Sequence, residues 1–532
     1  MRTMQPNIGN RWMKWVLLAA AAVGLGAGMS ALTRAEDLAP NFWMGWLGFT
    51  ILFAVGFAVL IAAWKWAGRG RALAWMMAVA FGLRLGLGVA LFEALPLQYQ
   101  HENEQAGYFF IDPFVRDRNA WETARYHQPF WTAFRGDFNG DQYGGLAALS
   151  TLLYEGLSPD AHRPLLIVAL GAMVAALGLP FFWRAARERW GDGVALPAAW
   201  IFALYPESIL LGASQMREPF LLTFGAMTFW GVLDWLRPET ISRGRPGAAL
   251  AAGGGLLGLT IFSLPAAGAV LTFLGVWAAV ERLARREKGS APGWAVIGAA
   301  TVGGLVLFPA LLADRAAWEF AVTTKASGVV QGIVQRLGPA AQIPFITAYG
   351  VAQPVLPAAV ADPSASWIRT AINILLGLGW YALAPLLVYA TLRVWKEPDL
   401  RERQVLAWTA LFAWVWILTS AYRAGGDQWD NPRYRTIFLP WMALLAGWAW
   451  NWARANRDAW LGRLLAVEGI FLASFTVWYA NRKLGLGLPL GFWGAVGLTI
   501  GLSMLVLGWG WIREWRRAEN QESRTEKEIA DG

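Results

Sequence analysis

Long apolar runs recur along this chain, and their length sets what it can fold into. A helix needs about 20 apolar residues to cross a hydrocarbon layer of about 30 Å. Inside that layer only helices and closed barrels satisfy every backbone polar group. The first run, Trp15 to Leu32, follows Arg2, Arg11 and Lys14. Others run from Phe42 to Trp64, Leu73 to Phe92, Pro164 to Trp183, Val194 to Leu211, Pro219 to Leu236, Ala248 to Phe262, Ala267 to Val280 and Trp294 to Ala313. Five more run from Trp367 to Leu392, Val405 to Ala421, Ile437 to Trp450, Leu464 to Tyr479 and Leu490 to Trp511. The expected fold is all-α, a polytopic transmembrane helical bundle of about 12–14 spans. Ser263-Leu264-Pro265 interrupts one pair, which reads as short or re-entrant. A basic start before an apolar run also fits a cleaved signal peptide. The length of the run and the span directly after it favour a retained first helix.

Composition supports a membrane chain: 56% of residues are hydrophobic, only 15% are charged, and 34 tryptophans suit interfacial belts. The absence of cysteine excludes disulfides, thiolate nucleophiles and Cys-ligated zinc. The net charge of +9 could suggest nucleic acid, but its distribution argues for topology instead. With a cytoplasmic N-terminus, most of the 45 basic residues fall on one face, with at least three in each of its connections. Both termini are then cytoplasmic, and no nucleic-acid partner is expected.

That orientation puts two long polar stretches outside. One spans 94–163, after three N-terminal spans (1–93); the other, 314–366, follows the central spans (164–313). C-terminal spans (367–512) and a cytoplasmic tail (513–532), charged and expected to be disordered from Arg516 to Gly532, complete the organisation. The second outer stretch, with its apolar patches and prolines, is expected to hold short amphipathic helices. The first holds all three histidines, His101, His127 and His162, and nine carboxylates, among them Asp112, Asp117, Glu122, Asp141 and Asp160.

Within the first stretch, Asp117, Trp121 and Ala124 share a face at helical spacing. Asp112, just before Pro113, is a plausible helix cap. A carboxylate among bases and aromatics could act as a general base; the plainer reading pairs Asp117 with Arg116, Arg118 or Arg125. His101, Glu102, Glu104 and His127 match no metal-ligand pattern, so a divalent metal is possible but not indicated. Arg84 sits inside a span, where a charge is costly unless paired or facing a cavity, with Glu93 as a candidate partner. Glu218 begins a helix, near the positive end of its dipole. Gly253-Gly254-Gly255 reads as close helix packing, not a phosphate loop.

The segment around Asp117 resembles the first outer loop of the GT-C superfamily of integral-membrane glycosyltransferases, in its dolichyl-phosphate-mannose protein mannosyltransferase-like and lipid A arabinosyltransferase-like branch. That branch carries an acidic motif, usually Asp-Glu followed by an aromatic and a small residue. Asp117, Trp121 and Ala124 match its spacing, whereas Arg118 stands where the second acid is usual. Asp141 to Leu146 lies where the branch has a Pro-rich entry to a helix along the membrane; here Gly144-Gly145 replaces the proline. Leu204-Tyr205-Pro206 with Arg217-Glu218-Pro219, and Asn431 to Arg435 with Pro440, resemble its later outer-facing motifs.

The resemblance implies a glycosyltransferase of the cytoplasmic membrane with an extracytoplasmic active site. Its donor would be a polyprenyl-phosphate-linked sugar, its acceptor a lipid, glycan or protein, and transfer would invert the anomeric centre. It implies Asp117 as base, with Asp112 and Glu218 as further acids. Arg433, Arg435 and Arg217 would hold the carrier phosphate; Tyr434, Arg84, Trp121 and Tyr205 would be further substrate contacts. Membrane lipids are the other expected partner. The alternatives are a transporter or flippase, or a polymerase or ligase, of lipid-linked glycans.

Overall fold

The computed structural model describes residues 8–34, 40–98, 101–135, 143–237, 246–284, 295, 297–299, 301–304, 328–361 and 366–530. Every regular element among them is helical. Among the described residues, eight helices are long and apolar enough to cross a membrane: Phe42–Trp66, Arg71–Gln98, Leu165–Trp190, Leu264–Ala284, Trp367–Lys396, Leu400–Ala424, Trp460–Leu484 and Phe492–Arg516. A bent pair raises this to nine. The protein is a polytopic all-α membrane bundle. The larger number expected from sequence falls because several apolar runs form helices too short to cross alone, and the run from Trp294 to Ala313 lies largely outside the described residues.

The chain divides into two compact units, Met1–Arg315 with Thr436–Pro440, and Ala316–Arg435 with Trp441–Gly532. In the first, α1 is Ile8–Ala31, α2 Phe42–Trp66 and α3 Arg71–Ala94. The polar stretch then folds into α4 (Glu102–Gln105), α5 (Ile111–Arg125) and α6 (Gly145–Leu157). Next come α7 (Leu165–Trp190), α8 (Asp192–Leu204), α9 (Pro206–Ala213), α10 (Glu218–Trp235), α11 (Pro246–Phe262) and α12 (Leu264–Ala284). The expected span from Val194 to Leu211 is thus broken. Pro206 has no N–H to continue a helix, and the axis turns by 44° there. The interruption at Ser263 is only a joint, and α12 after it is of full spanning length.

α7 is the centre of this unit, buried along most of its length and packed against α2, α3 and α10. Small residues let the backbones approach. A Cβ on Gly178 would lie 3.1 Å from Thr223 Cα, and the Thr223 hydroxyl donates to Val174 O at 2.6 Å. Of the three consecutive glycines, Gly255 makes the close contact: its Cβ would come within 2.7 Å of Phe224 O on α10, whereas Gly253 faces open space. With no hydrophobic force between helices in lipid, such contacts supply the packing.

The second unit holds α13 (Gly328–Arg336), α14 (Pro339–Ala352) and α15 (Leu356–Ala361), as expected for the second polar stretch, whose residues 314–327 and 362–365 are outside the described set. They are followed by α16 (Trp367–Arg393), α17 (Leu400–Ala424), α18 (Asp430–Thr436), α19 (Leu439–Ala455), α20 (Trp460–Leu484) and α21 (Phe492–Ala530). The tail expected to be disordered continues α21, because it lacks proline and glycine until its end and is rich in helix formers.

One ionic knot ties the polar stretch to α2. Arg163, 1% exposed, donates to both oxygens of Asp160 at 2.6 and 2.8 Å, to Ser158 Oγ at 2.7 Å and to Asn41 O at 2.9 Å. Burial works to raise the Asp160 carboxyl, but the Arg163 guanidinium and the Asn41 N–H outweigh it and hold it below its usual range. Its stabilisation is therefore complete above the unfolded carboxyl pKa and is lost as pH falls through the lower folded value. Arg163→Ala strands Asp160 and the Asn41 carbonyl, and should cost roughly 3 kcal/mol. Thermal unfolding in detergent at pH 7 measures this, and the difference from the parent protein should shrink at acid pH.

Candidate active site

Backbone chemistry sets the stage for α5 and α6. α5 begins after Phe110, with Asp112 and Pro113 in its first turn. Asp112 is not the cap; it is an exposed carboxylate close to the positive helix end. α6 starts at Gly144-Gly145. Gly144 has φ +75°, and a Cβ there would sit 2.4 Å from Ala133 O; one on Gly145 would sit 2.4 Å from Ile261 O. The glycine pair is thus what lets α6 enter between its neighbours. α5 and α6 then pack together, joined by the Thr151 hydroxyl on Ala120 O at 3.3 Å.

Asp117 is buried between them, 2% exposed. Tyr108 OH donates to Oδ2 at 2.6 Å. Tyr154 OH, from α6, lies 2.8 Å from both oxygens. His162 Nε2, from the loop after α6, is 3.0 Å from Oδ2. The His162 ring stacks on Trp121 with centroids 5.8 Å apart and 15° between planes, and Tyr154 meets both rings edge-on. The helical face shared by Asp117, Trp121 and Ala124 is therefore real, and all three side chains are buried. The expected pairing of Asp117 with a neighbouring arginine is not: Arg118 is exposed, 3.6 Å from Glu102 and 3.7 Å from Glu122. Arg116 instead donates to the Gln215 carbonyl, bringing the turn before α10 to α5. Gln215 adopts φ +55° at that turn, and its amide donates to Pro164 O at 3.2 Å.

The remaining candidates are distributed as follows. Glu218 is fully buried in the first turn of α10. Arg217, one residue earlier, lies 4.5 Å over the Tyr143 ring. Tyr205 is buried at the α8–α9 break. Arg84, 2% exposed, does not pair with Glu93, which meets Arg34 at 3.4 Å. Arg84 reaches that break instead, donating to Ala203 O at 3.1 Å and Ser208 Oγ at 2.8 Å.

In the second unit, Arg433 is 3.7 Å from Asp430 and 5.9 Å from the Tyr434 ring centre; Arg423 lies 4.4 Å over the same ring. Arg435 is fully buried, 3.4 Å over the Trp380 ring, and donates to Gln353 O at 2.9 Å, at the end of α14. His101 and His127 are exposed, and the described residues contain no group of three or more His, Asp or Glu able to hold a metal. Asp137 and Asp141 lie outside the described set.

Sequence reasoning missed Tyr108, Tyr154 and His162. The available signal was that a chain with 12 tyrosines and 3 histidines places so many of them in one polar stretch.

No family model matches this chain, and no curated protein matches it. Similar solved structures include the following. ArnT from Cupriavidus metallidurans, bound to undecaprenyl phosphate, is 15% identical over 82% of this chain and 76% of its own, with a TM-score of 0.40. The archaeal oligosaccharyltransferase AglB from Archaeoglobus fulgidus, in complex with an inhibitory peptide and a dolichol-phosphate, is 13% identical over 81% of this chain and 56% of its own, with a TM-score of 0.36.

The cage gives its own expectation. Tyr154→Phe removes the only donor to Oδ1 among the described residues while leaving the ring contacts in place. A lost hydrogen bond to a buried charged group should lower stability by about 1.5–3 kcal/mol, read as a lower melting temperature in detergent.

Proposed function

We propose that this protein is a membrane glycosyltransferase that moves a sugar from a polyprenyl-phosphate carrier to a lipid, glycan or protein acceptor on the extracytoplasmic face, with inversion. The observation that carries this reading is the buried Asp117 carboxylate in a polar stretch between membrane-spanning helices, held in place by three side chains. Inversion needs one base on the acceptor and positive charge on the departing phosphate. Asp117 is assigned the base role, with Trp121 walling the site; Asp112, exposed at the head of the same helix, and Glu218 are the reserve acids. Arg217, stacked on Tyr143 in the same unit as Asp117, is the group assigned to phosphate, since guanidinium matches phosphate oxygens in pairs. Arg84, from the middle of α3, holds Ala203 O at the α8–α9 break where Tyr205 is buried, and Arg435 holds Gln353 O at the end of α14.

One observation favours a second reading, a flippase for lipid-linked sugars: the α8–α9 span is broken, with Arg84 at the break, and broken spans mark transporter sites. A transfer assay separates the two. Purified protein in lipid nanodiscs is given a panel of synthetic polyprenyl-phosphate pentoses and hexoses, with lipid, glycan and peptide acceptors. Asp117→Asn should cut kcat by at least ~100-fold, the usual contribution of a positioned base. Turnover that survives the substitution removes Asp117 from the role, and donor translocation without transfer replaces the proposal with the flippase.

A further inference from the structure

The hydrogen bonds around Asp117 are unequal, and the inequality distinguishes its two oxygens. Oδ2 receives Tyr108 OH and His162 Nε2, and shares Tyr154 OH. Oδ1 receives only the shared Tyr154 hydroxyl among the described residues. A carboxylate oxygen has about two lone-pair sites. Oδ2 is therefore full, and Oδ1 keeps the spare capacity. A carboxylate only accepts, so the imidazole facing it must carry its proton on Nε2.

His162 is itself held firmly. Its ring lies flat on Trp121. The loop that carries it is closed by Ser158 Oγ on Ala161 O at 2.6 Å, and the neighbouring Arg163 binds Ser158, Asp160 and Asn41. At the head of this loop, Leu157 O lies where a Cβ on Gly48 of α2 would come within 2.1 Å, so α2 and the loop touch backbone to backbone. Nothing in the proposed phosphate or acceptor roles calls for a histidine locked in this way.

We infer that His162 is a positioning residue: with Tyr108 it pins Oδ2 of Asp117, so that Oδ1 is the atom that takes the acceptor's proton. This rests on the transfer reading above. In the step, the acceptor O–H passes its proton to Oδ1 while its oxygen forms the bond to the anomeric carbon. The bond from that carbon to the carrier phosphate breaks, and its electron pair leaves with the phosphate. A carboxylate free to rotate would offer either oxygen at changing angles, and proton transfer depends on such alignment.

The test compares His162→Gln with His162→Asn, two variants of similar polarity. Gln carries an amide N–H near the Nε2 position; Asn carries one near Nδ1. Gln should keep kcat within ~3-fold, whereas Asn should lose at least ~10-fold, the worth of a hydrogen bond to a charged group, with both KM values unchanged. Tyr108→Phe should resemble Asn. Equal kcat for Gln and Asn, whether high or low, overturns the inference, as does an effect confined to KM. A readout independent of turnover covers loss of folding or activity. In 15N-histidine-labelled parent protein, with only three histidines to assign, the His162 signal should show the Nε2–H form and shift in Asp117→Asn. An Nδ1–H signal, or one that Asp117→Asn leaves unmoved, overturns it. An active Asp117→Asn overturns the transfer-base reading itself; an inactive one beside equal His162 variants overturns only the positioning role.

Discussion

In hydrocarbon, a carbonyl or N–H without a partner costs several kcal/mol, and this protein is arranged around avoiding that cost. Regular helix satisfies most of the backbone. At several helix ends and breaks among the described residues, a polar side chain is brought to the exposed carbonyls. Arg84 serves Ala203 at the α8–α9 break. Arg116 serves Gln215 in the turn before α10. Arg435 and Asn431 serve Gln353 and Gly350 at the end of α14. Arg163 serves Asn41 at the start of α2. Each guanidinium offers five donors in a fixed fork, which suits it to several carbonyls at once.

This pattern separates the arginines by what they do. A charge far from the membrane ends reads from sequence as a substrate ligand or an ion pair. Arg84 is neither bare nor paired with Glu93: its charge is spread over the Ala80 and Ala203 carbonyls and the Ser208 hydroxyl, while Arg435 lies against a backbone carbonyl and an indole face. The arginines that lie over tyrosine rings, Arg217 over Tyr143 and Arg423 over Tyr434, are differently placed. The phosphate contact proposed for Arg217 rests on that second kind.

Asp117 presents the same rule at a side chain. A buried carboxylate needs donors, and three arrive from three separate places: Tyr108 ahead of α5, Tyr154 on α6 and His162 in the loop beyond. Asp117 with Trp121 was legible because helical spacing within one short segment puts them on one face. The donors were not. They lie 9, 37 and 45 residues from Asp117 along the chain, and no local period connects them. Asp112 was misread as a cap for the opposite reason. A proline after an acid suggests a helix start, but the helix begins one residue before that acid.

By itself the sequence determined the solvent, the fold class and the stretch in which the candidate acid lies. Apolar runs about as long as a bilayer is thick can only be helices, and titratable residues gather in one stretch because lipid excludes them elsewhere. Only the tertiary structure decided which runs cross whole, since Pro206 breaks one and several are short. It also decided which glycines are contacts, and that His162, to which the sequence assigned no role, meets Asp117 together with Tyr108 and Tyr154. Those outcomes depend on distances between segments far apart in the chain, and periodicity carries no information about them.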